Sequence, residues 1–167
     1  MKLWTWKQEN LPSLSHAFRT ALAATISILL GRLLGLPEAY WAPIATVVVM
    51  QSPLGDTVPL AIERIVASAV GASIGAVEST YFGPNLFVFT LAMLLLGLIS
   101  FALRLEKTGY SYACITLAII VIIPRAETPW IAAAHRFAEV SLGILVALAV
   151  VGVWREERRF FDSHPAK

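Results

Sequence analysis

Apolar residues run almost unbroken along most of this chain, without the alternation of a strand or the one-sided stripe of a helix on a soluble domain. The pattern is interrupted at regular intervals by proline, glycine or charge. Read with those breaks, it predicts six helices: about Ser13 to Leu36, Tyr40 to Ser52, Thr57 to Thr80, Pro84 to Leu103, Gly109 to Ile123, and Pro129 to Trp154. Pro84 and Pro129 suit first-turn positions, where a missing N–H costs nothing. A bilayer core of about 30 Å needs roughly 20 residues per helical span, so the runs read as membrane spans and six fill the chain. The expected fold is an all-α, polytopic membrane helix bundle of about six transmembrane helices.

Composition agrees with that reading. The 167 residues are 57% hydrophobic and only 14% charged, with a mean hydropathy of +0.72. Soluble domains carry roughly 25% charged residues. One domain is expected: an interfacial segment at 1–12, a six-helix bundle at 13–154 and a cytoplasmic tail at 155–167. The first segment holds Trp4 and Trp6 among Lys2 and Lys7, which suits the headgroup layer. It lacks the apolar core and cleavage site of a signal peptide and is expected to be retained. The single cysteine, Cys114, excludes an internal disulfide framework and reads as a small packing residue.

Charge sets the orientation. With six spans, ten of the 13 Lys and Arg residues fall on the side of the two termini, leaving only Arg32, Arg125 and Arg136 on the other. By the positive-inside rule both termini are cytoplasmic. A net charge of +2, with no basic face interleaved by aromatics, gives no reason to expect a nucleic-acid partner. No nucleophile, carboxylate dyad, phosphate-binding loop or metal-ligand cluster is visible. Enzymatic activity, cofactors and metals are therefore not expected.

A shift of 72 positions pairs Arg32 with Arg104, Tyr40 with Tyr112, Arg64 with Arg136, and Gly71 with Gly143. Overall identity at that shift is near chance, yet scarce residues coincide at equivalent points of helices one and four, and three and six. Two halves of three spans each must run in opposite directions, so the pattern predicts a 3+3 inverted repeat, as in many secondary transporters. Tyr40 to Ser52 is only 13 residues, about 20 Å of helix, and the fifth span is also short. Short spans at matching places are either a broken-helix binding site, with Thr46 and Gln51 facing a polar cavity, or simply short helices.

Arg64 and Arg136 each lie about seven residues into their helices. A charge at that depth is costly and faces the bundle interior or water. Each arginine either grips a carboxylate by two parallel hydrogen bonds or serves a structural ion pair. Glu139, three residues after Arg136, is placed to neutralise it; Glu63 neighbours Arg64 but points elsewhere. Ala67, Gly71, Gly75 and Ser79 form a small-residue seam, echoed by Gly143 and Ala147, that suits close helix packing. His16 and His135 are candidate proton carriers.

At Tyr40-Trp41-Ala42-Pro43, Gln51-Ser52-Pro53-Leu54-Gly55 and Arg64-(six residues)-Gly71-Ala-Ser-Ile-Gly75 the sequence resembles the fusaric acid resistance and aromatic acid exporter family. The likeness covers about Arg19 to Ser79 well and the remainder by helix count and the second arginine-plus-glycine helix. It implies a bacterial inner-membrane protein that moves small organic anions outward using the proton gradient. It also implies kinship with the plant malate-channel fold, in which paired six-helix units form an anion path. Members of the family often carry two six-helix blocks and sizeable cytoplasmic domains. This sequence ends soon after its sixth helix, so a homodimer within the lipid bilayer is expected. In that picture Arg64 and Arg136 attract the carboxylate, Tyr40 and Trp41 stack on an apolar body, and Thr46 and Gln51 line the break. Two other functions remain open: a passive anion channel of the same fold, and a non-conducting membrane partner or scaffold.

Overall fold

A computed structural model describes residues 14–50, 57–83, 85–123 and 126–163, with side chains described up to Trp154. The expected interfacial segment, Gln51, Arg125 and the side chains of the basic tail lie outside the described residues. The described chain is an all-α bundle: α1 (Leu14–Leu33), α2 (Trp41–Met50), α3 (Thr57–Tyr81), α4 (Leu86–Ala102), α5 (Lys107–Ile122) and α6 (Pro129–Ser163). Within α1, α3 and α6, the stretches Leu14–Leu33, Val58–Tyr81 and Pro129–Trp154 are long and apolar enough to cross a bilayer. The other three helices are apolar but shorter, at 10, 17 and 16 residues.

Helix ends follow local chemistry. α1 stops at Leu33, three residues before the expected Leu36, because Gly35 turns left-handed at φ 69° and the Leu36 N–H returns to the Gly31 carbonyl at 3.0 Å. α4 ends by the same turn, with the Leu105 N–H on the Ser100 carbonyl at 2.9 Å and Arg104, not glycine, at φ 54°. α4 begins at Leu86, where the Asn85 side chain accepts the Phe87 N–H at 2.9 Å. α5 begins at Lys107, earlier than the expected Gly109, since the Glu106 N–H donates to the Glu63 carboxylate. α6 continues as helix past Trp154 to Ser163.

The bundle is inverted relative to a soluble protein. Its core is mostly alanine, with Arg19, Arg64, Arg136, Glu78 and Glu139 also buried. Large apolar side chains such as Leu86, Phe87, Leu94, Leu98 and Phe101 point outward. A surface of this kind matches hydrocarbon, and charges that face inward avoid it. α1 and α4 are peripheral, and each buries only a stripe of residues at every fourth position. In α1 the stripe is Arg19, Ala23, Ser27 and Gly31; in α4 it is Ala92, Leu96 and Ser100.

At the centre α3 packs on α5 and α6, and α6 also packs on α2. α1 covers α2 and α6, while α4 covers α5 and α3; weaker contacts join α2 to α3 and α5 to α6. Exchanging the first three helices with the last three maps each of these pairs onto another, or onto itself. The tightest approaches obey the same exchange. A Cβ on Gly71 would meet the Ala113 backbone, with the carbonyl carbon and Cα both at 3.0 Å. One on Gly143 would overlap the Ala42 carbonyl and lie 3.0 Å from the Ala45 Cβ. Gly75 continues the first contact, 3.2 Å from the Ile120 Cβ. Without a hydrophobic drive between helices in lipid, such backbone contact is what holds them together.

Because the obstacle is backbone, no rotamer relieves it. Gly143→Leu should cost at least the 1–3 kcal/mol typical of overpacking, read as a lower melting temperature in detergent. Gly152→Leu meets nothing within 4 Å and should leave the transition where it is.

Candidate functional site

Four helices, α2, α3, α5 and α6, enclose a cavity of about 320 Å³ near the middle of the bundle. From α3 come Arg64 and Ser68, and from α6, at the same steps, Arg136 and Val140. α2 supplies Trp41, Ile44, Ala45 and Val48; α5 supplies Tyr112, Ile115 and Thr116. An offset of 72 relates the first two helices and one of 71 the second two, leaving only Val48 without a counterpart on the wall. Apart from the arginines the wall is largely apolar.

Both guanidiniums are buried, at 5% exposure each. Arg64 Cζ lies 3.9 Å from the centroid of the Tyr112 ring, and Arg136 Cζ lies 3.5 Å from that of Trp41. Stacking of this kind partly offsets the cost of burying the charge. At Arg64 it occupies the flat face of the guanidinium and leaves in-plane N–H donors for an oxygen ligand. The Arg64 Nε is buried with no hydrogen-bond partner among the described residues.

The rings are held by the backbone contacts described above. Trp41 precedes Ala42, which meets Gly143, and Tyr112 precedes Ala113, which meets Gly71. The indole N–H of Trp41 also donates to Glu38 at 2.9 Å.

A second cavity, also about 320 Å³, opens at the end where the α1–α2 and α5–α6 connections meet. Pro37, Glu38, Ala126 and Glu127 come from those connections; Ala132, His135, Arg136 and Glu139 come from α6. His135 Nδ1 is 3.1 Å from the Glu127 carboxylate, in a half-exposed pair worth little stability. Arg136 borders both cavities and is the side chain they share.

Of the residues singled out from sequence, Arg64, Arg136 and Trp41 meet in one cavity. Tyr40 does not line it: its ring is half exposed, 5.5 Å from that of Trp41. Thr46 is fully buried, and its hydroxyl is spent on helix packing, 2.9 Å from the carbonyls of Ala42 and Gly143. Gln51 lies outside the described residues. The expected pairing of Glu139 with Arg136 is not a hydrogen-bonded contact: Glu139 Oε1 accepts the Glu38 N–H at 2.8 Å, and Oε2 has no hydrogen-bond partner among the described residues. His16 Nδ1 faces the Arg19 guanidinium at 3.2 Å. Cys114 packs against the cluster around Leu96 and Leu117.

Tyr112, Ser68 and Thr116 were missed. The first carried a signal, as the partner of Tyr40 under the repeat; the two hydroxyls carried none. Glu78, 2% exposed and without a side-chain partner among the described residues, lines neither cavity.

A family model described as fusaric acid resistance protein-like matches residues 24–150. Inner membrane protein YeeA of Escherichia coli (strain K12) is 35% identical over 148 residues, which is 83% of this chain and 40% of that protein. UPF0421 protein YgaE of Bacillus subtilis (strain 168) is 29% identical over 137 residues, 81% of this chain and 38% of its own length. The chain thus spans about two fifths of these relatives. No solved structure matches.

Since Thr46 holds α2 to α6 from outside the cavity, Thr46→Val should lower thermal stability by about 0.5–1.5 kcal/mol. Affinity for any ligand of the cavity should stay within twofold, measured by direct titration of the purified protein.

Proposed function

The chain belongs to the fusaric acid resistance protein-like family of membrane proteins, and from that premise we propose that it transports small organic acids, aromatic ones among them, as their anions. The observation that carries the reading is the meeting of two buried arginines, at matching steps of α3 and α6, on one apolar cavity. A cavity of about 320 Å³ lies at the small end of the usual range for ligand sites, roughly 300–1,000 Å³. Two guanidiniums in apolar surroundings suit a compact body with a carboxylate and reject a cation. Ile44, Ile115 and Val140 offer the rest of the molecule an apolar wall.

The proposal includes a 3+3 inverted repeat with the cavity on its axis. The exchange of packed helix pairs, the matched arginine–aromatic stacks and the matched glycine contacts support it. All six helices then cross the membrane, with both termini cytoplasmic by the distribution of basic residues, and the second cavity faces outward. By the family resemblance the working unit is a pair of such blocks.

Anion flux from liposomes containing only this protein tests the reading, with benzoate as the probe. At sub-saturating benzoate, Arg64→Ala and Arg136→Ala should each lower flux about 10- to 150-fold, the loss of one charge-assisted hydrogen bond of 1.5–3 kcal/mol. Lysine at either position should restore only part, since an ammonium cannot both stack and grip a carboxylate in its plane. Unchanged flux and affinity in Arg64→Ala would remove the arginines from the site. Flux that follows potential alone identifies a passive channel, and absence of flux for every acid leaves a partner subunit.

A further inference from the structure

Glu139 is a carboxyl group in an unusual position. It is 1% exposed, three residues from Arg136 on the same helix, and lines the outer cavity. Its Oε1 is satisfied by the Glu38 N–H at 2.8 Å, while Oε2 is buried with no hydrogen-bond partner among the described residues. A carboxyl oxygen enclosed by protein without such a donor, on a side chain that lines a cavity open to one end, is a place for a proton. Protonation turns that oxygen into a hydroxyl and removes a negative charge from beside Arg136.

We propose that the Glu139 carboxyl is a proton-binding site linked to the anion site through Arg136, so that proton and organic anion load together. The inference rests on the transport reading above and specifies what is bound with the anion. The charges acting on Glu139 are Glu38, from the α1–α2 connection, and Arg136 and His135 on its own helix. Glu127 shares the cavity from the α5–α6 connection. α2 has no ionisable side chain, the ionisable groups of α3 and α5 are not among the charges acting on Glu139, and Arg32 at the end of α1 is exposed.

Arg136 and Glu139 line the same cavity without a hydrogen bond between them. With Glu139 ionised, its negative charge opposes an incoming carboxylate at Arg136 across a medium of low dielectric. A proton from solution that binds Oε2 forms one O–H bond and removes that opposing charge. Coupling of this kind is reciprocal: an anion at Arg136 must draw a proton onto Glu139 by the same factor. His135 and Glu127, both half exposed, line the same cavity as Glu139. When the proton leaves, the restored negative charge on Glu139 opposes the bound anion and promotes its release.

The test is proton uptake on adding benzoate to the purified protein in weak buffer, followed with a pH indicator, beside benzoate titrations across pH. The wild type should take up protons as benzoate binds, with affinity rising about 5- to 150-fold as pH falls. Glu139→Gln should bind benzoate tightly at every pH with no uptake, and should lose the infrared carbonyl band of a protonated carboxyl. Glu139→Asp keeps the carboxyl and should restore uptake. Benzoate binding with wild-type uptake and pH dependence in Glu139→Gln overturns the coupling while leaving the transport reading intact. A wild type that binds no benzoate at any pH overturns the transport reading itself, and the coupling with it. The infrared band then still reports separately whether Glu139 takes a proton.

Discussion

Two places where one helix backbone touches another govern the rest of this molecule. At Gly71 the α3 backbone meets α5 at Ala113, and at Gly143 the α6 backbone meets α2 at Ala42. Helices that approach this closely gain contact along their whole shared length, which matters most where lipid and side chain are equally apolar. The second contact is reinforced by the Thr46 hydroxyl, held 2.9 Å from the carbonyls of both Ala42 and Gly143. In each case the residue just before the touching alanine is aromatic, and the arginine seven residues before the glycine stacks on it. A larger residue at either glycine would therefore separate the helices and pull a ring away from a buried charge. Packing and electrostatics are one constraint here.

The short helices are fixed a second time at their starts. The first amides of a helix lack partners inside it and carry partial positive charge. Near the start of α5 the Glu106 N–H is taken by Glu63 of α3; just ahead of α2 the Glu38 N–H is taken by Glu139 of α6. A carboxylate on a long helix thus anchors the beginning of a short one from the other half of the chain. Anchored at that end and pressed at Ala42 or Ala113, each short helix has its ring in a set place. This accounts for how helices as short as α2 and α5 build the cavity wall while α1 and α4 remain at the periphery.

Much of this was legible in the sequence because it depends on residue types that are scarce in lipid-facing segments. Arginine seven residues into an apolar helix has few places to go, and Arg64 and Arg136 are found inward. Helix number followed from uninterrupted apolar runs and their Pro and Gly breaks. What sequence could not show was direction around the helix axis. Every face of α2 is apolar or small, so nothing distinguished Thr46 in a cavity from Thr46 between two helices. The same ambiguity exchanged Tyr40 for Trp41: adjacent residues point about 100° apart on a helix, and only the fold decides which faces α6. Tyr112 was visible as the counterpart of Tyr40, but the packing register is 71 on the short helices and 72 on the long ones. The matching partner of Tyr112 is consequently Trp41. Glu139 was read as a counter-ion for Arg136 because spacing on one helix was the only geometry available. Its actual partner is the backbone of Glu38, a hundred residues away, which no local pattern reveals.

The two halves of the cavity differ in the polar groups that surround each arginine. Arg64 sits against Tyr112, with its neighbour Glu63 turned away to the α5 amide. Arg136 sits against Trp41 but also borders the second cavity, which Glu139 lines as well. The α5 wall carries Thr116 where α2 carries Ala45, and the α3 wall Ser68 where α6 carries Val140. The hydroxyls therefore lie with Arg64, while the Glu139 carboxyl lies near Arg136. Two arginines at equivalent steps of α3 and α6, each stacked on an aromatic ring, thus stand in unequal surroundings: neutral hydroxyls beside one and a buried carboxyl beside the other. The backbone packing repeats between the halves, and the polar side chains around it do not.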